Sequence, residues 1–193
     1  FMGAIKAAEE GISNIFLLEA TTKTLEKVRI SGGGRCNVTN ACWDPTELAP
    51  NYPRGEINLM GAFSRFATGD AVEWFKNRGL ELISEKDGRM FPQSNSSTEV
   101  INCLIKSAKT SGVTCKTKTA VQEVKYLKEK GFLLKCRDKT LIHAQKVLLA
   151  TGSNSTGHKI ASDLGHTIIP PVPSLFNFKI MSPWLISCAG ISI

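Results

Sequence analysis

The chain has 193 residues, enough for one large domain or one and a half. Its 42% hydrophobic and 21% charged content is that of an ordinary globular protein, and no apolar run reaches the ~18 residues that span a bilayer. The net charge of +7 favours anionic ligands, but Lys and Arg are scattered with no basic run of five. The expected partner is therefore a small molecule, not nucleic acid or a membrane.

In chain order, residues 1–10 read as a helix with Met2, Ile5, Ala8 and Ile12 on one face and Gly11 as its stop. Lys6, Glu9 and Glu10 interrupt that apolar pattern, so it is no secretory leader. Residues 14–18, NIFLL, read as a short buried strand ending at Glu19. In a dinucleotide-binding βαβ unit, a strand and glycine turn precede the first helix, and an acid near the end of the second strand binds ribose hydroxyls. Glu19 stands where that acid should be, or is a plain solvent-facing strand end. With no strand before the helix, the chain is expected to begin just past the glycine turn.

Residues 31–40, SGGGRCNVTN, are the most informative stretch. Three successive glycines cost backbone entropy that a fold accepts where bare backbone must approach something closely or take positive φ. Ser31, Gly32, Gly33, Gly34, Arg35, Cys36 and Asn37 combine open backbone with a cation, a soft sulfur and an amide. That combination suits a phosphate-bearing ligand or a polar heterocycle. Arg35 can pair with phosphate or lie on a ring face, or brace the loop in a salt bridge. Cys36 can touch a ligand edge or fill a small core space. Asn37 and Asn40 can bond a ligand ring or shape the turn.

Residues 41–57 read as a loop rich in Pro, Asn, Asp and Gly. Helices are predicted over 58–66 and 70–78, then a strand over 81–85, a tight turn at Asp87 and Gly88, and the segment RMFP at 89–92. Arg89, Phe91 and Pro92 fit either a ligand cavity or packing. Ser96 and Glu99 form a capping box for a helix through Ser111, with Val100, Ile101, Leu104, Ile105 and Ala108 at helical spacing. A strand over 113–117 and a three-stranded meander over 121–128, 132–137 and 140–143 follow. Residues 146–150, KVLLA, read as a buried strand running into Thr151, Gly152 and Ser153, with a helix over 157–164 beyond. The chain stops in LISCAGISI, which reads as an unfinished strand. This order of elements predicts an α/β domain with a parallel sheet and a β-meander crossover.

Cys36, Cys42, Cys103, Cys115, Cys136 and Cys188 form no C-x-x-C pair. They read as reduced thiols in a reducing compartment, those at 103, 115 and 136 in core elements, and no metal site is expected. His143, His158 and His166 are the only histidines. His158 and His166 flank the last helix and suit either acid–base chemistry or a structural place.

Four segments occur in fixed order: SGGGRCNVTN at 31–40, GRMFP at 88–92, LLATGSNSTGHKIASDLGH at 148–166 and PVPSLFNFKI at 171–180. With them the chain resembles the BaiN-like, or aminoacetone-oxidase-like, family of NAD(P)/FAD-dependent oxidoreductases. ATGSNSTG, where many bacterial members have ATGG, is more similar to the plant and cyanobacterial branch. The resemblance implies a glutathione-reductase-like FAD-binding domain over 1–172, lacking its first strand and glycine turn, and the start of a second, mainly β domain over 173–193. It implies FAD as cofactor, with NAD(P)H as a candidate electron donor, and residence in the cytoplasm or plastid stroma.

By the same resemblance Glu19 would bind the adenosine ribose. The segment from Gly32 to Asn37 would line the pyrophosphate and flavin side. Val121 would offer backbone groups to adenine, and Ala150, Thr151 and Gly152 would pack on the ADP portion. The family often has G-R-K before its S-G-G-G, whereas Leu25, Glu26 and Lys27 stand here, so only the lysine matches. No residue is singled out as catalytic, since flavin chemistry belongs to the cofactor. The alternative is a non-catalytic nucleotide-binding module that keeps the FAD fold.

Overall fold

The computed structural model describes residues 1–173 and 181–186. Helix α1, Met2–Glu9, leads into strand β1, Phe16–Leu18. Helix α2, Glu26–Ile30, runs into the glycine turn, which is followed by β2, Thr39–Asn40. Helices α3 (Pro45–Leu48), α4 (Glu56–Phe63) and α5 (Thr68–Lys76) precede the hairpin of β3 (Leu82–Ser84) and β4 (Arg89–Pro92). Helix α6 (Ser97–Thr110) and β5 (Thr114–Lys116) follow. The meander is β6 (Val121–Leu127), β7 (Gly131–Cys136) and β8 (Leu141–Ala144), and α7 (Ser155–Asp163) and α8 (Pro183–Ile186) complete the order.

The strands form three small sheets. β1 and β5 pair in parallel, Leu17 opposite Cys115. β4 lies between β2 and β3, both antiparallel to it. β6, β7 and β8 pair antiparallel in sequence order. A parallel pair needs a long crossover, and the segment carrying α6 returns the chain to β1's side.

Helix α6 carries the main core. Ser96 caps it by accepting from the Thr98 N–H at 3.3 Å, and Val100, Ile101, Leu104 and Ala108 are all buried. Burying each larger side chain stabilises by about 1.5–3 kcal/mol. Gly112, at φ +78°, ends the helix in the left-handed region. Ile5 of α1, Phe75 of α5 and Cys36 of the glycine turn pack into this cluster. Arg78 ties the layer together: its guanidinium stacks on Trp74 at 3.8 Å and pairs with Glu9. A second cluster joins Val124 and Leu134 of the meander to Ile160 of α7.

Several expectations need correction. Residues 41–57 are not plain loop: Asp44 caps α3 through the Thr46 N–H at 2.8 Å, and α4 begins at Glu56. Helix α2 was not foreseen, because five residues carry too little pattern; it is held against α6, where the Ser97 hydroxyl donates to the Arg29 carbonyl at 2.9 Å. NIFLL is a strand only over its last three residues, and Phe16 is exposed. Ile12 and Ile105 are exposed as well. Residues 146–150 form no strand. Among the described residues no strand is hydrogen-bonded to them in a ladder, and Leu148 is 73% exposed. Cys115 is exposed on β5, whereas Cys136 is buried. Of LISCAGISI, Leu185 and Ile186 belong to α8 and the rest lies outside the described residues, as do residues 174–180 of the last motif.

Candidate functional site

The glycine turn is built by left-handed backbone. Gly32, Gly33 and Gly34 take φ of +56°, +67° and +87°, and Cys36 follows at +63°. A methyl at Gly32 would lie 2.7 Å from the Asn37 amide nitrogen and 2.9 Å from the Phe91 ring. At Gly33 and Gly34 nothing stands within 4 Å of that position. So Gly32 is required by packing, while the next two glycines leave bare backbone facing open space. This is a cradle that a phosphate-bearing ligand can approach and a Cβ would obstruct.

Each side chain of the turn has a fixed place. The Ser31 hydroxyl donates to the Val28 carbonyl at 2.8 Å, and its own carbonyl accepts from the Cys36 N–H at 3.0 Å. Cys36 is buried in the α6 core, and burial pushes its thiol above the usual range, partly opposed by a hydrogen bond with Ser31. The thiolate is thereby disfavoured, which suits a packing role. Arg35 donates to Glu85 Oε1 at 2.6 Å and to Asn95 Oδ1 at 3.4 Å. Its guanidinium lies 3.8 Å from the centre of the Phe91 ring. Of the readings open in the sequence, the brace and the ring stack are both realised, the ring being the protein's own. With its amide oriented to suit its neighbours, Asn37 donates to the Thr39 and Met90 carbonyls at 3.0 and 3.3 Å, shaping the turn. Asn40, on β2, packs its amide against Gly88. Phe91 is fully buried beneath the turn, Pro92 is fully buried next to it in β4, and Arg89 is half-exposed.

Glu19 lies at the end of β1. Its Oε1 accepts from the Thr21 N–H at 2.7 Å, and its carbonyl accepts from the Thr119 N–H at 2.8 Å. Thr119 is two residues before Val121, so Glu19 and the start of β6 are brought to one end of the parallel pair. Ala150, Thr151 and Gly152 are exposed ahead of α7, with Gly152 at φ +62°. Thr151 packs so tightly on Gly157 that a methyl there would sit 1.8 Å from its Oγ1. Asn154 caps α7 through the Thr156 N–H at 2.8 Å. His158 is half-buried on α7. His166 is exposed and, with Tyr126, Phe132, Val147, Leu149 and Ile160, borders a groove of about 500 Å³. Sequence reasoning missed Glu85 and Asn95, which hold Arg35 of the turn, and Ser97, which holds the end of α2 just before it, all from 50 or more residues away. Only the alternating charges of residues 85–89 hinted at the first.

Among the described residues no cluster of three or more His, Cys, Asp or Glu side chains could hold a metal, and no helix is long and apolar enough to cross a membrane. A glycine turn seated on Phe91, a parallel strand pair and a three-stranded meander fit a Rossmann-like α/β domain. The chain belongs to the family described as the HI0933-like protein Rossmann domain, which it matches over residues 1–193. It is 29% identical over 199 residues to the 3-dehydro-bile acid delta(4,6)-reductase of Clostridium scindens, covering 98% of this chain and 47% of that protein. It is 26% identical over 179 residues to the ribosomal RNA dihydrouridine synthase of Escherichia coli, covering 89% and 43%. Its likeness to the enzyme of that name from Haemophilus influenzae is 24% over 179 residues, covering 86% and 44%. The chain thus spans about half the length of the curated relatives it matches.

Proposed function

We propose that this chain is the cofactor-holding part of a flavin-dependent reductase that acts on a carbon–carbon double bond of a small molecule. The observation that carries the reading is the open glycine cradle at Gly33 and Gly34 within an FAD-binding family. The names of the relatives support the reaction class: one describes reduction at a bile acid's delta(4,6) unsaturation, the other conversion of uridine to dihydrouridine. Glu19 would hold the ribose and the backbone of the glycine turn the phosphates. Val121 and the Ala150–Thr151–Gly152 turn would meet the adenosine part. Bound FAD would supply the redox chemistry. The protein's own residues bind it, orient it and keep water from it. NAD(P)H as donor, a reducing compartment, and membership of the plant and cyanobacterial branch belong to the same proposal.

The test is direct. The purified protein should be yellow or become so with FAD, bleach under anaerobic NADH or NADPH, and regain colour with a conjugated enone. Failure to take up FAD would overturn the reading. Reoxidation by a ribosomal RNA transcript but by no small enone would move the substrate from small molecule to RNA. Flavin that stays oxidised with either nicotinamide would favour the non-catalytic module.

A further inference from the structure

Glu85 receives two arginines, one on each carboxylate oxygen. Arg35 donates to Oε1 at 2.6 Å, and Arg89 approaches Oε2 at 3.2 Å. Both guanidiniums also face the Phe91 ring, at 3.8 and 5.5 Å from its centre. Glu85 is itself held by backbone: its N–H donates to the Arg89 carbonyl at 2.8 Å, and its carbonyl accepts from the Gly88 N–H at 3.0 Å. Arg89 is further fixed by Asp87, Nε to Oδ2 at 2.7 Å. The main chain of Glu85 is therefore anchored on the β3–β4 hairpin, and its carboxylate reaches across to Arg35 of the glycine turn, which Asn95 and Phe91 also contact. Phe91, which forms the stacking surface, is fully buried.

A flat ring and a forked carboxylate remove the rotamer freedom of the arginine side chain in advance. Arg35 and Glu85 are each about one-third exposed, 34% and 34%, so the pair is partly shielded from solvent screening. Two consequences follow for a ligand over the cradle. The Arg35 cation has one position, and its charge is partly neutralised before any anion arrives.

We propose that Glu85 is a positioning residue of this site: it fixes the Arg35 guanidinium at the end of the glycine turn and attenuates its charge towards the bound cofactor. The proposal rests on the flavin reading above, so its test has one arm that needs no flavin. In that arm, limited trypsin digestion with mass detection reads cleavage after Arg35. Glu85→Gln removes the ion pair and leaves Arg35 only Asn95 and the Phe91 ring, and should speed that cut several-fold, with near-ultraviolet circular dichroism unchanged. An unchanged rate overturns the proposal whether or not the protein takes up FAD.

In the second arm the midpoint potential of the FAD-loaded protein is measured. Removing the carboxylate charge leaves Arg35 unneutralised, which favours the reduced, more negative cofactor, so Glu85→Gln should raise the potential. Glu85→Asp, which keeps the charge, should return most of the shift. In an Arg35→Gln background the same Glu85→Gln change should do nothing further. A shift of equal size in that background would mean that Glu85 acts without Arg35, and no shift in either background would mean that it does not act on the cofactor; either overturns the proposal. Failure of FAD to bind, with the trypsin result as expected, would sink the flavin reading and leave Glu85 as the residue that positions Arg35.

Discussion

The two glycine-bearing turns, residues 31–37 and 150–152, are secured in different ways. The first is held from three elements: Phe91 beneath it, Glu85 and Asn95 on its arginine, and the α6 core around Cys36. The second is exposed, with Thr151 packed tightly against Gly157. A turn fixed by many long-range contacts presents its backbone in one geometry before a ligand comes. An exposed turn takes its final form from what covers it. The difference assigns preorganisation to the first and adaptability to the second.

The strongest way to break this contrast is Gly32→Ala. The left-handed backbone and the Asn37 and Phe91 contacts together should cost about 2–5 kcal/mol and abolish FAD retention, read by urea denaturation and flavin absorbance. Gly33→Ala, whose side faces open space, should cost only about 1–2 kcal/mol. Equal losses at the two positions would refute the packing argument. Next comes Gly157→Ala, expected to cost about 1–3 kcal/mol by overpacking. Pairing it with Thr151→Gly should remove the clash and reveal alanine's helix preference of about 1 kcal/mol over glycine. If the pair is no better than the single change, the Thr151 contact is not what holds the second turn.

A smaller effect should follow from Ser97→Ala. This hydroxyl bonds the end of α2 just before the glycine turn, and leaving the Arg29 carbonyl unpaired should cost about 1–2 kcal/mol, measured by thermal melting. The smallest effect is kinetic. Burial raises the Cys36 thiol, so at neutral pH its thiolate fraction is low and iodoacetamide should label it only as the chain unfolds. Rapid native labelling of Cys36 would mean that the first turn opens freely, and the contrast would fail.

Much of the fold was legible where local pattern is strong. Ser96 and the spacing through Ala108 marked α6, and the turns at Gly131 and Lys139 marked the meander. Gly32 announced itself because three glycines in a row have few other uses. What the sequence concealed depends on distant residues. KVLLA has a strand's composition, yet a strand exists only where a neighbour completes its ladder. Helix α2 is too short to show a period and is stabilised by α6. The placing of Arg35 was open between phosphate, ring and salt bridge because Glu85 and Asn95 lie 50 and 60 positions away. The capping box was half right: Ser96 accepts from Thr98, one position before the one the motif names.

The parallel pair has a further consequence for how this protein behaves in solution. Among the described residues, β1 is laddered only on the side of β5. Its other side offers the amides and carbonyls of Phe16 and Leu18, since Ile15, Leu17 and Glu19 are turned to β5, and the apolar Leu148 and Leu149 are exposed elsewhere on the surface. An unpaired strand edge is a template for foreign strands, and exposed leucines are adhesive to one another. Where that edge is left uncovered it is a template for self-association, and covering it removes that route.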